Sequence, residues 1–189
     1  LIYQWQSSAD GTNFTDIAGA NSFTYTTSQT TATHYRILAK CAGNVANSVA
    51  LFVPMSALTE CHCTPPTTNC NANDQITNVN FVTIDNTSAC SVNGYGDYSH
   101  TLPPAEVMLG ETYPISVTVS AGGTERVYAW LDFNQNGEYE ATEFYSLGSG
   151  NGETITSSVI IPRTALPGAT KMRIRLRWNT ALTASDACL

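Results

Sequence analysis

Apolar residues in this chain recur at every second position. Met172, Ile174, Leu176 and Trp178 alternate with Lys171, Arg173, Arg175 and Arg177, a period that lays one set on one face of a β-strand and the other set on the opposite face. Shorter runs of the same kind lie at Ile2 to Gln6, Phe23 to Thr27, His34 to Cys41 and Ser48 to Val53, and again at Ile76 to Ile84, Tyr113 to Val119, Arg126 to Phe133 and Thr154 to Ile161. Turn clusters at Ala9-Asp10-Gly11, Ala18-Gly19-Ala20-Asn21 and Ala42-Gly43-Asn44 separate the first four runs, and no window supports a long helix. Between Pro54 and Cys70 the alternation stops, and Pro65-Pro66-Thr67-Thr68 has no period at all. These features predict an all-β chain of two tandem antiparallel β-sandwich domains, Ig-like or jelly-roll-like, over residues 1–56 and 71–189, with a Cys/Pro/Thr-rich linker at 57–70.

Charge narrows the partners. Eight Lys and Arg stand against fifteen Asp and Glu, for a net charge of -7, so no counterion-release term favours nucleic acid. No apolar run approaches the roughly 18 to 20 residues that span a bilayer as a helix. Thr, Ser and Asn supply nearly a third of the chain while charged residues make up only 12%, the palette of an extracellular β-protein. Six cysteines, Cys41, Cys61, Cys63, Cys70, Cys90 and Cys188, suit an oxidising compartment and are all disulfide candidates. Spacing alone leaves 15 complete pairings open. The expected location is secreted or at the cell surface.

Tyr3-Gln4-Trp5-Gln6-Ser7-Ser8-Ala9-Asp10-Gly11, then Ile17-Ala18-Gly19-Ala20, then Thr33-His34-Tyr35-Arg36-Ile37 leading to Cys41, resemble the immunoglobulin-like repeats of large bacterial surface proteins over about residues 1–53. In such sandwiches a strand-C Trp packs on a disulfide between strands B and F, and Trp5 and Cys41 fit those roles. Leu1 lies only four residues before Trp5, so the likeness implies that strands A and B are missing. Either the sequence is a piece of a longer protein, or the open edge and apolar groove that remain take a strand from another chain. Cys41 would then be unpaired, bridged to a supplied strand, or paired with Cys61.

From about Cys61 onward the chain is similar to a GEVED domain, a β-sandwich module of secreted bacterial proteins. The similarity rests on Asp74-Gln75-Ile76-Thr77-Asn78-Val79, Gly94-Tyr95-Gly96-Asp97-Tyr98, Ala129-Trp130-Leu131-Asp132-Phe133-Asn134-Gln135-Asn136-Gly137, Leu147-Gly148-Ser149-Gly150 and Met172-Arg173-Ile174-Arg175-Leu176-Arg177. The resemblance implies disulfides Cys70 with Cys90 and Cys63 with Cys188, and an adhesive or accessory role. It also places the acidic signature of the family just after Cys188, so this domain too is expected to lack a closing strand.

One motif carries chemistry. Asp132-Phe133-Asn134-Gln135-Asn136-Gly137, with Glu143 six residues after the glycine, meets the calcium-loop pattern D-x-[DN]-x-[DN]-G-x5-E at every specified position. A loop that turns sharply at Gly137 aims Asp132, Asn134 and Asn136 inward, Glu138 offers its backbone carbonyl, and Glu143 offers a bidentate carboxylate. Glu140 is an assisting acid and Asp97 an outer one. With only two charged side chains among the ligands, a weak structural clamp at extracellular calcium levels is expected. The competing reading is an Asn/Gly-rich hairpin turn whose carboxylates are merely solvated.

The remaining constellations are weaker. Lys171, Arg173, Arg175 and Arg177 form either a solvated outer face that complements nearby acids or a ladder for an anionic glycan or a partner's carboxylates. Cys61-His62-Cys63 with Cys70 lacks the paired spacing of a zinc site. His34 reads as a surface or edge residue, and neither it nor His100 neighbours an activated nucleophile. Trp5, Trp130 and Trp178, at alternating strand positions, read as core rather than as a sugar platform. Asn13-Phe14-Thr15 and Asn86-Thr87-Ser88 make Asn13 and Asn86 glycosylation candidates. The expectation is a non-enzymatic extracellular structural or adhesive protein, a homo-polymer of a fibre joined by strand complementation and stabilised by disulfides and calcium. The alternative is an accessory module of a secreted hydrolase that binds carbohydrate or protein.

Overall fold

A computed structural model describes residues 1–70 and 73–189. Asn71 and Ala72, where the sequence places the start of the second domain, lie outside the described residues. The chain is all-β and divides into two units, Leu1–Ala57 and Leu58–Leu189. Among the described residues no helix is long and apolar enough to cross a membrane.

The first unit is one antiparallel sheet of β1 (Ile2–Ser8), β2 (Thr15–Asp16), β3 (Thr33–Cys41), β4 (Asn44–Asn47) and β5 (Leu51–Val53). Its order is β2-β1-β3-β4, with β5 also on β3. The β1–β3 register opposes Tyr3 to Ala39 and Trp5 to Ile37, so the apolar phases of the two strands share one face. The segment after β2 folds over that face. Phe23 meets Tyr3 edge-on at 5.6 Å, Tyr25 lies 5.9 Å from Trp5, and the Trp5 indole donates to Ser22 O at 3.0 Å. Little is fully enclosed, and Ile2, Phe23, Val45, Leu51 and Phe52 stay exposed.

The second unit packs two antiparallel sheets. One has the order β11-β8-β6-β7, from β6 (Ile76–Phe81), β7 (Ile84–Thr87), β8 (Thr112–Val119) and β11 (Thr154–Ile160). The other has the order β10-β9-β12, from β9 (Glu125–Leu131), β10 (Phe144–Gly150) and β12 (Met172–Trp178). Between them Phe81, Ile115, Val117 and Val159 meet Val127, Ala129 and Leu131, with Met172, Ile174 and Leu176 at the margin. Met172, Ile174 and Leu176 keep the core-facing phase read from the sequence, and the burial of this set is the main source of stability.

β9 is buried on its other face as well. Tyr128 and Trp130 lie under Leu182 and Ala187, with Tyr139 and Phe144 beside them. The Trp130 indole donates to Ala184 O at 2.9 Å, which seats the 3₁₀ turn Ala184–Cys188 on the sheet. This C-terminal cover is fastened by the Cys63–Cys188 disulfide, and a second disulfide joins Cys70 to Cys90. They are the two pairs that the family likeness implies. Cys41 and Cys61 are exposed.

Candidate functional site

The loop Asp132–Glu143 begins where β9 ends and closes with the 3₁₀ turn Ala141–Glu143 that leads into β10. Its sharp turn needs left-handed backbone at Gln135 and Gly137, both at positive φ, and glycine takes that conformation without steric cost. Two acids lie inside the loop. Asp132 is wholly buried and accepts from Asn136 N at 3.2 Å and Gly137 N at 3.0 Å. Glu143, also buried, accepts from Phe133 N at 2.8 Å, Asn134 N at 3.3 Å and Glu140 N at 3.1 Å. Each carboxylate thus gathers backbone N–H groups that would otherwise go unmet.

The rim is exposed. Asn134 Nδ2 and Asn136 Nδ2 donate to the two oxygens of Glu140 at 2.8 and 3.2 Å, and Asn136 Oδ1 accepts from Glu138 N at 2.9 Å. The structure therefore brings Asp132, Asn134, Asn136, Glu138, Glu140 and Glu143 into one loop, but on two levels, with Asp132 and Glu143 beneath and the others above. The oxygen-rich donor set is of the hard kind that suits calcium, and a half-turn of either Asn side-chain amide would present its oxygen. Among the described residues no three His, Cys, Asp or Glu side chains are grouped as a metal site. A shallow cleft of about 210 Å³ opens beside the loop, lined by Phe133, Asn134, Thr142, Glu143, Pro162 and Thr164.

Sequence reasoning missed His62. Its side chain is 2% exposed and Nε2 lies 2.9 Å from Asp132 Oδ2, an ion-pair contact without the alignment of a hydrogen bond. Its ring lies 4.9 Å from that of Tyr139, whose phenol is pushed up by burial. The available signal was adjacency, since His62 precedes Cys63 and the Cys63–Cys188 bridge draws it to the end of β9.

The cationic ladder needs correction. Arg173, Arg175 and Arg177 do share one face, opposite Trp130, Tyr128 and Arg126, but that face lies under the C-terminal cover. Arg173 is only 5% exposed and donates to Ala187 O at 2.7 Å and to Cys63 O. Its guanidinium lies 4.9 Å over the Tyr139 ring and 5.7 Å from that of Tyr95, a stacked arrangement that arginine favours. Arg175, half-buried, donates to Asp186 O. Lys171 pairs with Asp97 at 3.0 Å. Ser99 and Lys171 together hold the Asp97 carboxyl well below the usual range. Only Arg177 remains open to solvent. Trp178 also departs from expectation, being 57% exposed where Trp130 is wholly buried. Asn13 sits in an exposed turn, where its amide donates to Asp10 Oδ2 at 2.7 Å, and Asn86 is half-buried on β7.

Residues 126–189 match the GEVED domain, a span that takes in β9, the loop, and everything after it. Residues 2–55 match a domain of unknown function (DUF8696), so the Ig-like likeness of the first unit rests on its own motifs. A cell surface glycoprotein of Haloferax gibbonsii is 37% identical over 70 residues, which cover 37% of this chain and 8% of that protein. The chain thus spans a small part of that relative.

Proposed function

We propose that the chain is an extracellular structural module of a cell-surface protein, without catalytic activity, in which calcium closes the Asp132–Glu143 loop. The carrying observation is the 37% identity to a protein named cell surface glycoprotein. The two disulfides, which suit an oxidising compartment, and the GEVED match support it. Asp132, Asn134, Asn136, Glu140 and Glu143, with the Glu138 carbonyl, would hold the ion. Its bound charge would fix the turn between β9 and β10 and, through His62 and Tyr139, the cover that the Cys63–Cys188 bridge secures.

The role is adhesive or fibrous, and assembly proceeds by strand addition to a sheet edge. In support, among the described residues β12 and β7 each pair on one side only, and the first unit keeps large apolar side chains in water. For a calcium constant on the order of 10⁻³ M, about 10 mM calcium adds about 1.4 kcal/mol to stability and a few degrees to Tm. Melting with calcium and with chelator, on the native chain and on Asp132→Ala, tests this reading. A calcium-dependent rise that Asp132→Ala diminishes supports it, and an equal Tm in both conditions, or a rise that Asp132→Ala leaves unchanged, overturns it. Filaments under negative stain support the assembly, and monomers at every concentration refute it.

A further inference from the structure

A second pair of acids stands away from the loop, at the other end of β9. Glu125 is the first residue of that strand, set between Gly150 of β10 and Trp178 of β12. It is wholly buried, and among the described residues no N–H or O–H group donates to either of its carboxylate oxygens. Asp74, half-buried in the segment before β6, reaches within hydrogen-bonding range of it. Ser120 Oγ donates to the carbonyls of Asn73 and Gln75, the residues on either side of Asp74. Among the described residues the ion pairs are His62 with Asp132 and Lys171 with Asp97, so no side-chain cation answers Glu125. Arg126, its neighbour on β9, belongs to the opposite face with Arg177.

Buried carboxylates keep their place by accepting hydrogen bonds or by meeting positive charge. Among the described residues Glu125 has no donor, and the neighbouring Asp74 is another acid. We propose that Asp74 and Glu125 form a divalent cation site of the calcium type, separate from the Asp132–Glu143 loop. Two carboxylates match the charge of one such ion, and their oxygens are the hard donors it takes. The site would tie the segment before β6, and so one sheet of the sandwich, to the first residue of β9 in the other. Trp178 lies opposite Glu125, with its indole over Gly123, where an added Cβ would fall 2.3 Å from Nε1. As the cross-strand partner of Glu125 it gives the site an optical reporter.

The test is calcium calorimetry on the full chain carrying Asp132→Ala, so that the loop and the acid pair are read apart. The site predicts one calcium per chain in that background and none once Glu125→Gln or Asp74→Asn is added, with circular dichroism confirming that the variants fold. Terbium soaked into the same background is expected to emit when the indoles are excited, and Trp178→Phe should remove most of that emission. An Asp132→Ala chain that binds no calcium overturns the proposal, as does binding that survives both Glu125→Gln and Asp74→Asn. A pair that only shares a proton would give the first of these results. Failure of the loop reading alone would appear as native stoichiometry in Asp132→Ala.

Discussion

Replacing Cys63 and Cys188 together by alanine removes the bridge that fastens the C-terminal cover. The residues are 125 apart in sequence, whereas Cys70 and Cys90 are 20 apart. In the chain-entropy account, closing the longer loop in the unfolded chain is worth about 5 kcal/mol and the shorter about 3 kcal/mol. With a urea slope of about 2 kcal/mol per molar, the long-loop variant should unfold at a midpoint lower by about 2 M. Amide exchange read by mass spectrometry separates this loss from events in the first unit, because β8 and β9 peptides exchange by opening the second unit. Their exchange should accelerate by a factor on the order of 10³ to 10⁴ in the long-loop variant, and by clearly less when Cys70 and Cys90 are replaced. Peptides over residues 180–189 should lose protection first, since Leu182, Ala184 and Ala187 rest on Trp130 and Tyr128. Equal losses for the two bridges, or unchanged β9 exchange without Cys63–Cys188, would refute the reasoning.

Arg173→Ala should cost about 3 kcal/mol in urea unfolding, because the carbonyls of Cys63 and Ala187 lose their donor inside the protein; Arg173→Lys should not restore it, since an ammonium cannot bridge both carbonyls while stacking on Tyr139. In chelator, burial first and the neighbouring Asp74 second push Glu125 up to about 7 from its ordinary 4.5, so its contribution is full below 4.5 and is lost as pH rises through 7. The fall amounts to about 3 kcal/mol, and a Tm series from pH 5 to 8 should show a decline that Glu125→Gln flattens.

Much of this architecture is legible in the sequence because period-two alternation fixes which side chains share a face. Met172, Ile174 and Leu176 are at the core margin, and Val127, Ala129 and Leu131 within it, as their phases require. Alternation says nothing of what lies over the second face. Arg173 is polar by type and outward by phase, yet a cover of irregular chain closes on it, and that cover has no period to read. Trp178 errs the other way. It shares its phase with Leu176, but its partner is Glu125, the first residue of β9, so it stands at the sheet's end where the apolar layer has run out. The calcium-loop pattern names five positions and leaves unnamed the His62 contact, which comes from 70 residues earlier in the chain through a disulfide neighbour.

β9 connects these observations. Its sequence, Glu-Arg-Val-Tyr-Ala-Trp-Leu, alternates two kinds of apolar residue. Val127, Ala129 and Leu131 are compact enough for the space between sheets, and Tyr128 and Trp130 carry polar atoms, one of which, the indole N–H, binds the cover. A strand buried on both faces cannot shift register by one residue without exchanging these sets, which would bury the indole N–H among aliphatic groups with no acceptor. Its two ends are held differently. Glu125 at one end and Asp132 just past the other are buried acids; Asp132 has backbone donors and His62, and among the described residues Glu125 has neither a donor nor a cation. Removing charge at Asp132 therefore takes away partners that exist in the protein alone, whereas removing it at Glu125 relieves an unmet demand. In calcium-free solution Glu125→Gln should raise stability where Asp132→Ala lowers it, and calcium should narrow the first difference by supplying what Glu125 lacks.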